Sequence, residues 1–275
     1  MYTELRLALR DLQTDFSSFH LLKYRRVDGF LFSSKNSGTH WLRAMLSAAI
    51  AHHLGLPPPA FANGPEADVY IRHPKRPRRY EQAPDIGCSH TIPSRLSLLP
   101  FALGLMSLPP TVVLVRHIPE ALVSYFVKWS ANGGHGELGA LPQFVRRPAP
   151  GARSGDDIWW YVRFFNRWGE ISRMAKGRVM VVRYSQLHAD PAALIARIWA
   201  HWGVALSAND IAAGVRAGSR QSMTERLDPV WNEAVVSDPA ARAKARLADE
   251  DRVLLWSIMA RHLRYSLWPG RYPLA

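Results

Sequence analysis

Cysteine is almost absent. Cys88 stands alone among 275 residues, which excludes an internal disulfide framework and any zinc site built on several thiolates. Long apolar runs are missing too. The longest candidate, Leu96 to Leu108, is shorter than the roughly 18–20 residues of a membrane helix and is broken by Pro100 and Gly104. Met1 to Asp15 mixes charged with apolar residues and lacks the uniform apolar stretch of a signal peptide. These absences together lead us to expect no transmembrane segment and a reducing, cytoplasmic setting. Acidic side chains are also scarce: 22 Asp and Glu stand against 35 Lys and Arg, a formal net charge of +13. Such an excess speaks to partners rather than to fold. It fits nucleic acid, anionic lipid or small polyanions such as nucleotides, and equally the solvated charges of an arginine-rich composition. No nucleic-acid-binding motif is evident, so nucleic acid is not an expected partner, while peripheral contact with anionic lipid stays open. The run Arg72 to Arg79 carries two prolines and reads as an exposed loop, either solvated or facing an anionic substrate.

The chain has ample apolar material, 48% of its residues, so it can bury a core. No repeat is visible. Met1 to His20 reads as a helix or an arm. Phe30-Leu31-Phe32 fits a buried strand, and Trp41, Leu42, Met45, Leu46, Ala49 and Ile50 recur at helical spacing before Gly55 and three prolines. Thr111 to Val115 is a continuous β-branched and apolar run, as in a central parallel strand. Pro119 opens a helix to Trp129. Asp156 to Lys176 reads as an aromatic-rich helix, Val179 to Val182 as a third strand, and Asp190-Pro191 as the cap and first turn of a helix to Trp202. Two more helices fill the last third. Strands alternating with helices give an α/β class with a central parallel sheet flanked by helices. The expected organisation is one domain over 1–275, with irregular insertions at about 57–110 and 132–155, the second long enough to be a lid.

Ligands of such sheets bind at the carboxyl ends of the strands. After the first strand comes Ser34-Lys35-Asn36-Ser37-Gly38-Thr39-His40-Trp41. Small residues between a strand and a helix N-terminus suit a phosphate, because backbone N–H groups point outward there and Lys35 adds charge. The G-x-x-x-x-G-K-[ST] pattern of magnesium nucleotide enzymes is not met, since the glycine follows the lysine. After the second strand comes Arg116-His117-Ile118-Pro119-Glu120, with Ser124 eight residues beyond Arg116. An arginine forks onto phosphate oxygens and a hydroxyl adds a further bond. Between these segments lies Cys88-Ser89-His90-Thr91-Ile92-Pro93, and the third strand runs into Arg183-Tyr184-Ser185-Gln186-Leu187.

In this order the segments resemble the sulfotransferases that use 3′-phosphoadenosine 5′-phosphosulfate (PAPS). The likeness runs from about Phe30 to Met223 and is nearest to the cytosolic branch, in a bacterial form. Lys35 to Trp41 resembles the loop P-K-S-G-T-T-W, with Ser34 for the proline, Asn36 as an extra residue and His40 for the second threonine. Arg116 to Tyr125 resembles R-x-P-x-D-x-x-x-S-Y. His90 falls on the base position of K-x-H-L-P, and Cys88 on its second lysine. Arg183-Tyr184 resembles the start of R-Y-E-D-L, and Ser219 to Met223 resembles S-F-x-x-M with Arg220 for the stacking phenylalanine. No counterpart of the late R-K-G motif is evident.

The resemblance implies a P-loop-like three-layer fold. It also implies sulfuryl transfer from PAPS, without a metal, to a hydroxyl or amine of a small-molecule, lipid or carbohydrate acceptor. It makes Lys35 and His90 the catalytic pair, with the backbone of Ser37 to His40 on the 5′-phosphate and Arg116 and Ser124 on the 3′-phosphate. Trp41, Tyr184 and Arg220 would meet the adenine. A nucleotide-dependent kinase and a non-enzymatic polyanion-binding protein remain as alternatives. The aromatics from Trp159 to Trp168 line an acceptor pocket or fill a helix core.

Overall fold

The computed structural model describes residues 2–131, 141–146, 157–231, 245–265 and 267. Five strands form one sheet: β1 (Gly29–Ser33), β2 (Ile71–Arg72), β3 (Ile86–Ser89), β4 (Thr111–Val115) and β5 (Val179–Arg183). Their order is β2-β3-β1-β4-β5, and every pairing is parallel. Each central strand is apolar on both faces because side chains alternate across it. Phe30, Phe32, Val113 and Val115 enter one core and Leu31, Val112 and Leu114 the other. Helices cover both faces, which completes the three layers expected of an α/β chain.

The helices are α1 (Tyr2–Ser17), α2 (His20–Lys23), α3 (Thr39–His53), α4 (Leu99–Ala102), α5 (Ile118–Ala131), α6 (Leu141–Val145), α7 (Ile158–Met174), α8 (Tyr184–Ala189), α9 (Pro191–His201), α10 (Ala208–Ala217), α11 (Arg220–Glu225) and α12 (Asp249–His262). Local chemistry sets several of their starts. The carboxylate of Asp157 accepts from Trp160 N at 3.0 Å to open α7, and Asp190 accepts from Ala193 N at 2.9 Å to open α9. Helix α10 lies so close to α3 that a Cβ on Gly214 would sit 2.7 Å from the Met45 carbonyl oxygen. Only glycine permits that contact. Buried Asp210 then ties the two helices, accepting from His52 at 2.6 Å and His53 at 3.0 Å. The first core holds α7 and its Trp168, and Leu255 and Met259 of α12 join it.

Two expectations change. The stretch 57–110 is not irregular throughout, since β2 and β3 lie within it and form one side of the sheet. Both are short, two and four residues, and proline-rich flanks hide them from a periodicity reading. The run Arg72 to Arg79 is not a plain solvated loop either. Arg72 belongs to β2, is buried and pairs with Asp85 at 2.6 Å, while Arg76 pairs with Asp68 at 2.7 Å and Arg79 with Glu66 at 2.7 Å. Of the expected loop 132–155, residues 141–146 are described and include α6; the rest lies outside the described residues. A third expectation changes beyond α9, where three helices are described, α10, α11 and α12, rather than two.

Candidate active site

In this strand order the chain leaves β1 toward β3 on one side and β4 on the other, so a crevice opens at the carboxyl end of β1. All the singled-out segments converge there. The loop after β1 makes a tight turn: Asn36 has φ +55° and Gly38 has φ +90°. Ser37 Oγ donates to the Ser34 carbonyl at 2.5 Å, and Ser34 N donates to the Leu114 carbonyl at 2.8 Å. These bonds pin the loop to β4. Helix α3 starts at Thr39, and its first turn leaves N–H groups without intrahelical acceptors. Among the described residues the backbone N–H groups of Asn36, Ser37, Gly38, Thr39 and Trp41 donate to no backbone carbonyl. They form a cradle suited to an anion. Ser34 Oγ is buried beneath the loop with no hydrogen-bond partner among the described residues.

Arg116 follows β4 and is 3% exposed. Its Nη1 donates to the Asn36 carbonyl at 3.2 Å and its Nε to Glu120 at 3.4 Å. Its guanidinium lies 4.3 Å from the centre of the Tyr184 ring. The residue inserted into the loop, Asn36, therefore has a use: its left-handed turn aims a carbonyl at Arg116. Tyr184 begins α8 at the end of β5. Its other neighbours are Trp41, at 6.1 Å between centroids, and His188, at 4.7 Å. Trp41 Nε1 donates to the Gly218 carbonyl at 2.7 Å, which anchors the segment leading to Arg220. Arg220 itself is exposed at the first position of α11. Ser124 is half-buried on α5, one turn beyond Glu120 and on the same helix face.

On the other side of the loop a cleft of about 380 Å³ is lined by Thr14, Ser18, Lys35, His90, Trp160 and Arg163. Lys35 and His90, 55 positions apart in the sequence, thus face one space. The Lys35 ammonium lies 5.3 Å from the Trp160 ring centre, and Tyr161 Oη donates to the Lys35 carbonyl at 2.9 Å. His90 Nδ1 lies 2.8 Å from the Ser33 carbonyl oxygen, which can only accept, so Nδ1 carries the proton and Nε2 is the basic nitrogen. Ser33 Oγ is 3.1 Å from the same nitrogen and accepts from Thr39 Oγ1 at 2.8 Å. The Thr39 hydroxyl is therefore committed to orienting His90, and only its backbone N–H faces the cradle.

Two participants escaped the sequence reading. Ser33 is the end of an apolar strand, and Tyr161 belongs to a helix more than a hundred residues from Lys35; only the fold brings them in. Of the aromatics between Trp159 and Trp168, Trp160 reaches the cleft while Trp159, Phe164, Phe165 and Trp168 are core. Cys88, on the family's second lysine position, is buried in β3, and burial pushes its thiol up to about 11. It is neither a charge nor a nucleophile at neutral pH. No metal-binding group of His, Cys, Asp and Glu occurs among the described residues, and none of their helices is long and apolar enough to cross a membrane.

An anion cradle, a buried arginine against an aromatic ring, and a lysine facing a histidine make a site suited to a ligand that carries phosphate groups. Known proteins say which kind. A family model for the sulfotransferase domain matches residues 26–232. The chain belongs to that family and is a PAPS-dependent sulfotransferase. No curated protein matches it by sequence. Solved structures share its fold. The mouse sulfotransferase SULT7A1, solved with PAP, is 15% identical over 92% of this chain and 90% of its own, with TM-score 0.56. A retinol dehydratase with androsterone and PAP is 13% identical over 95% and 88%, with TM-score 0.58. A putative steroid sulphotransferase of Arabidopsis thaliana is 17% identical over 92% and 85%, with TM-score 0.52.

Proposed function

We propose that residues 1–275 act as one sulfotransferase domain that moves a sulfuryl group from PAPS to the hydroxyl or amine of a small-molecule acceptor, releasing adenosine 3′,5′-bisphosphate. The observation that carries this is the meeting of Lys35 and His90 in one cleft beside the cradle of α3 and the Arg116–Tyr184 pair. The residues fit the donor. The N–H groups from Ser37 to Trp41, with His40 among them, would hold its 5′-phosphate; Arg116 at the end of β4 and Ser124 on α5 would hold the 3′-phosphate; Trp41, Tyr184 and Arg220 would flank the adenine. When bound, PAPS supplies the activated sulfuryl group.

This chain's residues position and move charge. His90 Nε2 takes the acceptor's proton, and the resulting imidazolium stays bound through Nδ1 to the Ser33 carbonyl. Lys35 offers its ammonium where negative charge grows as the phosphate leaves. Trp160 and Ile92 give the acceptor an apolar contact in a cleft that is otherwise polar, and its volume suits a small molecule. Retinol dehydratase, which binds androsterone, offers a parallel for such an acceptor. The single buried thiol supports a reducing, cytoplasmic setting.

Thermal unfolding with adenosine 3′,5′-bisphosphate, with ADP and with ATP plus magnesium tests the reading. A ligand at 100 times its Kd adds about 2.7 kcal/mol, a rise of roughly 5 °C for a chain of this size. A rise specific to the bisphosphate is expected. A rise only with ATP and magnesium would make the protein a kinase, and no rise with any nucleotide would end the assignment.

A further inference from the structure

Helix α1 has two unlike faces. Its inner face is polar and paired. Asp11 binds Arg163 at 2.8 Å, buried Asp15 binds Arg167 at 2.8 Å, and Glu4 meets His262 at 3.0 Å. Its outer face carries Leu5, Leu9, Leu12 and Phe16, which recur at spacings of four, three and four and so form one stripe. These side chains are 59%, 50%, 53% and 68% exposed, and Phe19 extends the stripe beyond the helix end. Single exposed leucines are ordinary, but a continuous row marks a surface that meets something apolar.

A second segment adjoins the row. Ser94 Oγ donates to the Asp15 carbonyl at 2.5 Å and Arg95 N to the Asp15 carboxylate at 2.8 Å. The chain pinned there goes on to expose Leu99, Leu103 and Leu105, the last by 74%. Cations border the apolar area. Arg6 is exposed on α1, and Lys23 stands four residues beyond Phe19. Lys23, Arg25 and Arg26 share a cavity of about 290 Å³. The His20 and His73 rings lie 5.6 Å apart, and exposed Lys75 follows His73 by two residues.

We infer that this face docks on an anionic lipid surface, with the leucines and Phe16 entering the acyl boundary and the cations meeting phosphate headgroups. A second copy of the chain is the weaker partner, because it would bring one formal charge of +13 against another. The apolar area also spans two segments, broader than the narrow seam that pairs two helices. Thr14, Ser17 and Ser18 of the same α1 region line the Lys35–His90 cleft, so docking sets the cleft beside the bilayer. The inference stands on the surface alone and does not depend on the sulfuryl-transfer reading.

Flotation of the full chain with phosphatidylcholine vesicles, with or without about one-third phosphatidylglycerol, tests it. Binding to the anionic vesicles is expected, falling as salt rises from about 0.1 to about 0.5 M. Leu9→Glu with Phe16→Glu is expected to lower partitioning by about tenfold or more while leaving the bisphosphate-induced rise in Tm intact. If that pair fails to fold, the milder Leu5→Gln with Leu12→Gln decides. Absence of vesicle binding overturns the inference. So does binding that both variant pairs leave unchanged, since charge alone would then account for it. A dimer in sedimentation velocity that the variants disperse, without vesicle binding, assigns the face to a second copy and also overturns it.

Discussion

Replacing Gly38 by alanine tests how the donor cradle is built. Gly38 caps α3 with φ +90°, and a Cβ there would lie 2.7 and 2.8 Å from two carbons of the Tyr184 ring. The left-handed backbone costs an L-residue about 1–2 kcal/mol. The contact is too short to keep, and the ring cannot retreat freely because the Arg116 guanidinium lies 4.3 Å from its centre. Overpacking of this kind adds about 1–3 kcal/mol. The total, about 2–5 kcal/mol, should lower Tm by roughly 4–10 °C at about 2 °C per kcal/mol. The displaced ring should also shift Arg116 and weaken bisphosphate binding by about tenfold or more. Calorimetric titration and thermal unfolding read both effects. Adding Tyr184→Ala removes the contact and not the backbone strain, so the double variant should recover part of the stability lost to Gly38→Ala. A Gly38→Ala protein with unchanged Tm and Kd, or a double variant with simply additive losses, would refute the reasoning.

Lys35→Ala should lower turnover by about two to three orders of magnitude with a much smaller effect on bisphosphate affinity; a near-normal rate removes Lys35 from the chemistry. His90→Gln keeps a group at Ser33 but no base, so kcat should collapse and its acid limb vanish; a retained bell-shaped pH profile would place the base elsewhere. His20 is pressed by burial, then by His73, Lys75 and Lys23, down to a pKa of about 4. Between that value and the ordinary 6.5 the unfolded chain binds more protons, so its contribution makes stability rise with pH across this window and level off above it. Its Nε2 is buried without a hydrogen-bond partner among the described residues, and Tyr24, Phe30 and Phe32 surround the ring. His20→Phe should therefore stabilise at pH 5 more than at pH 8, as read by denaturant midpoints; an equal change at both pH values refutes the shift.

The strands β1 and β4 were legible because a run buried on both faces must be apolar at every position, and β5 because its Val-Met-Val-Val run is apolar although only half-buried. Helix α9 was legible because Asp190 and Pro191 state its start chemically. The other edge strand, β2, was not, because Ile71-Arg72 has no room for a period and Arg72 is buried while pairing with Asp85. At the site, Lys35, Arg116 and His90 could be picked out by type and by their place after strands. Ser33 and Thr39 could not be seen as the holders of His90, since that relation depends on β1 and β3 lying side by side, with Phe32 opposite Ser89. The use of Asn36 was hidden for the same reason. An extra residue looks like a disturbance until its carbonyl is found on Arg116.

The central place of β1 also governs when the site can come into being. Its partners pair in the registers Phe30 with Gly87 and Phe30 with Thr111. The strand is made before both neighbours and waits for them. Tyr184, whose ring lies against Arg116, emerges later still. At about 5–20 residues per second the nascent chain would spend several seconds with Phe30, Leu31 and Phe32 uncovered. Long-range parallel pairing is slow in any case. The loop after β1 thus leaves the ribosome before the segments that complete its shape, and in that interval its apolar strand is a natural client for a chaperone.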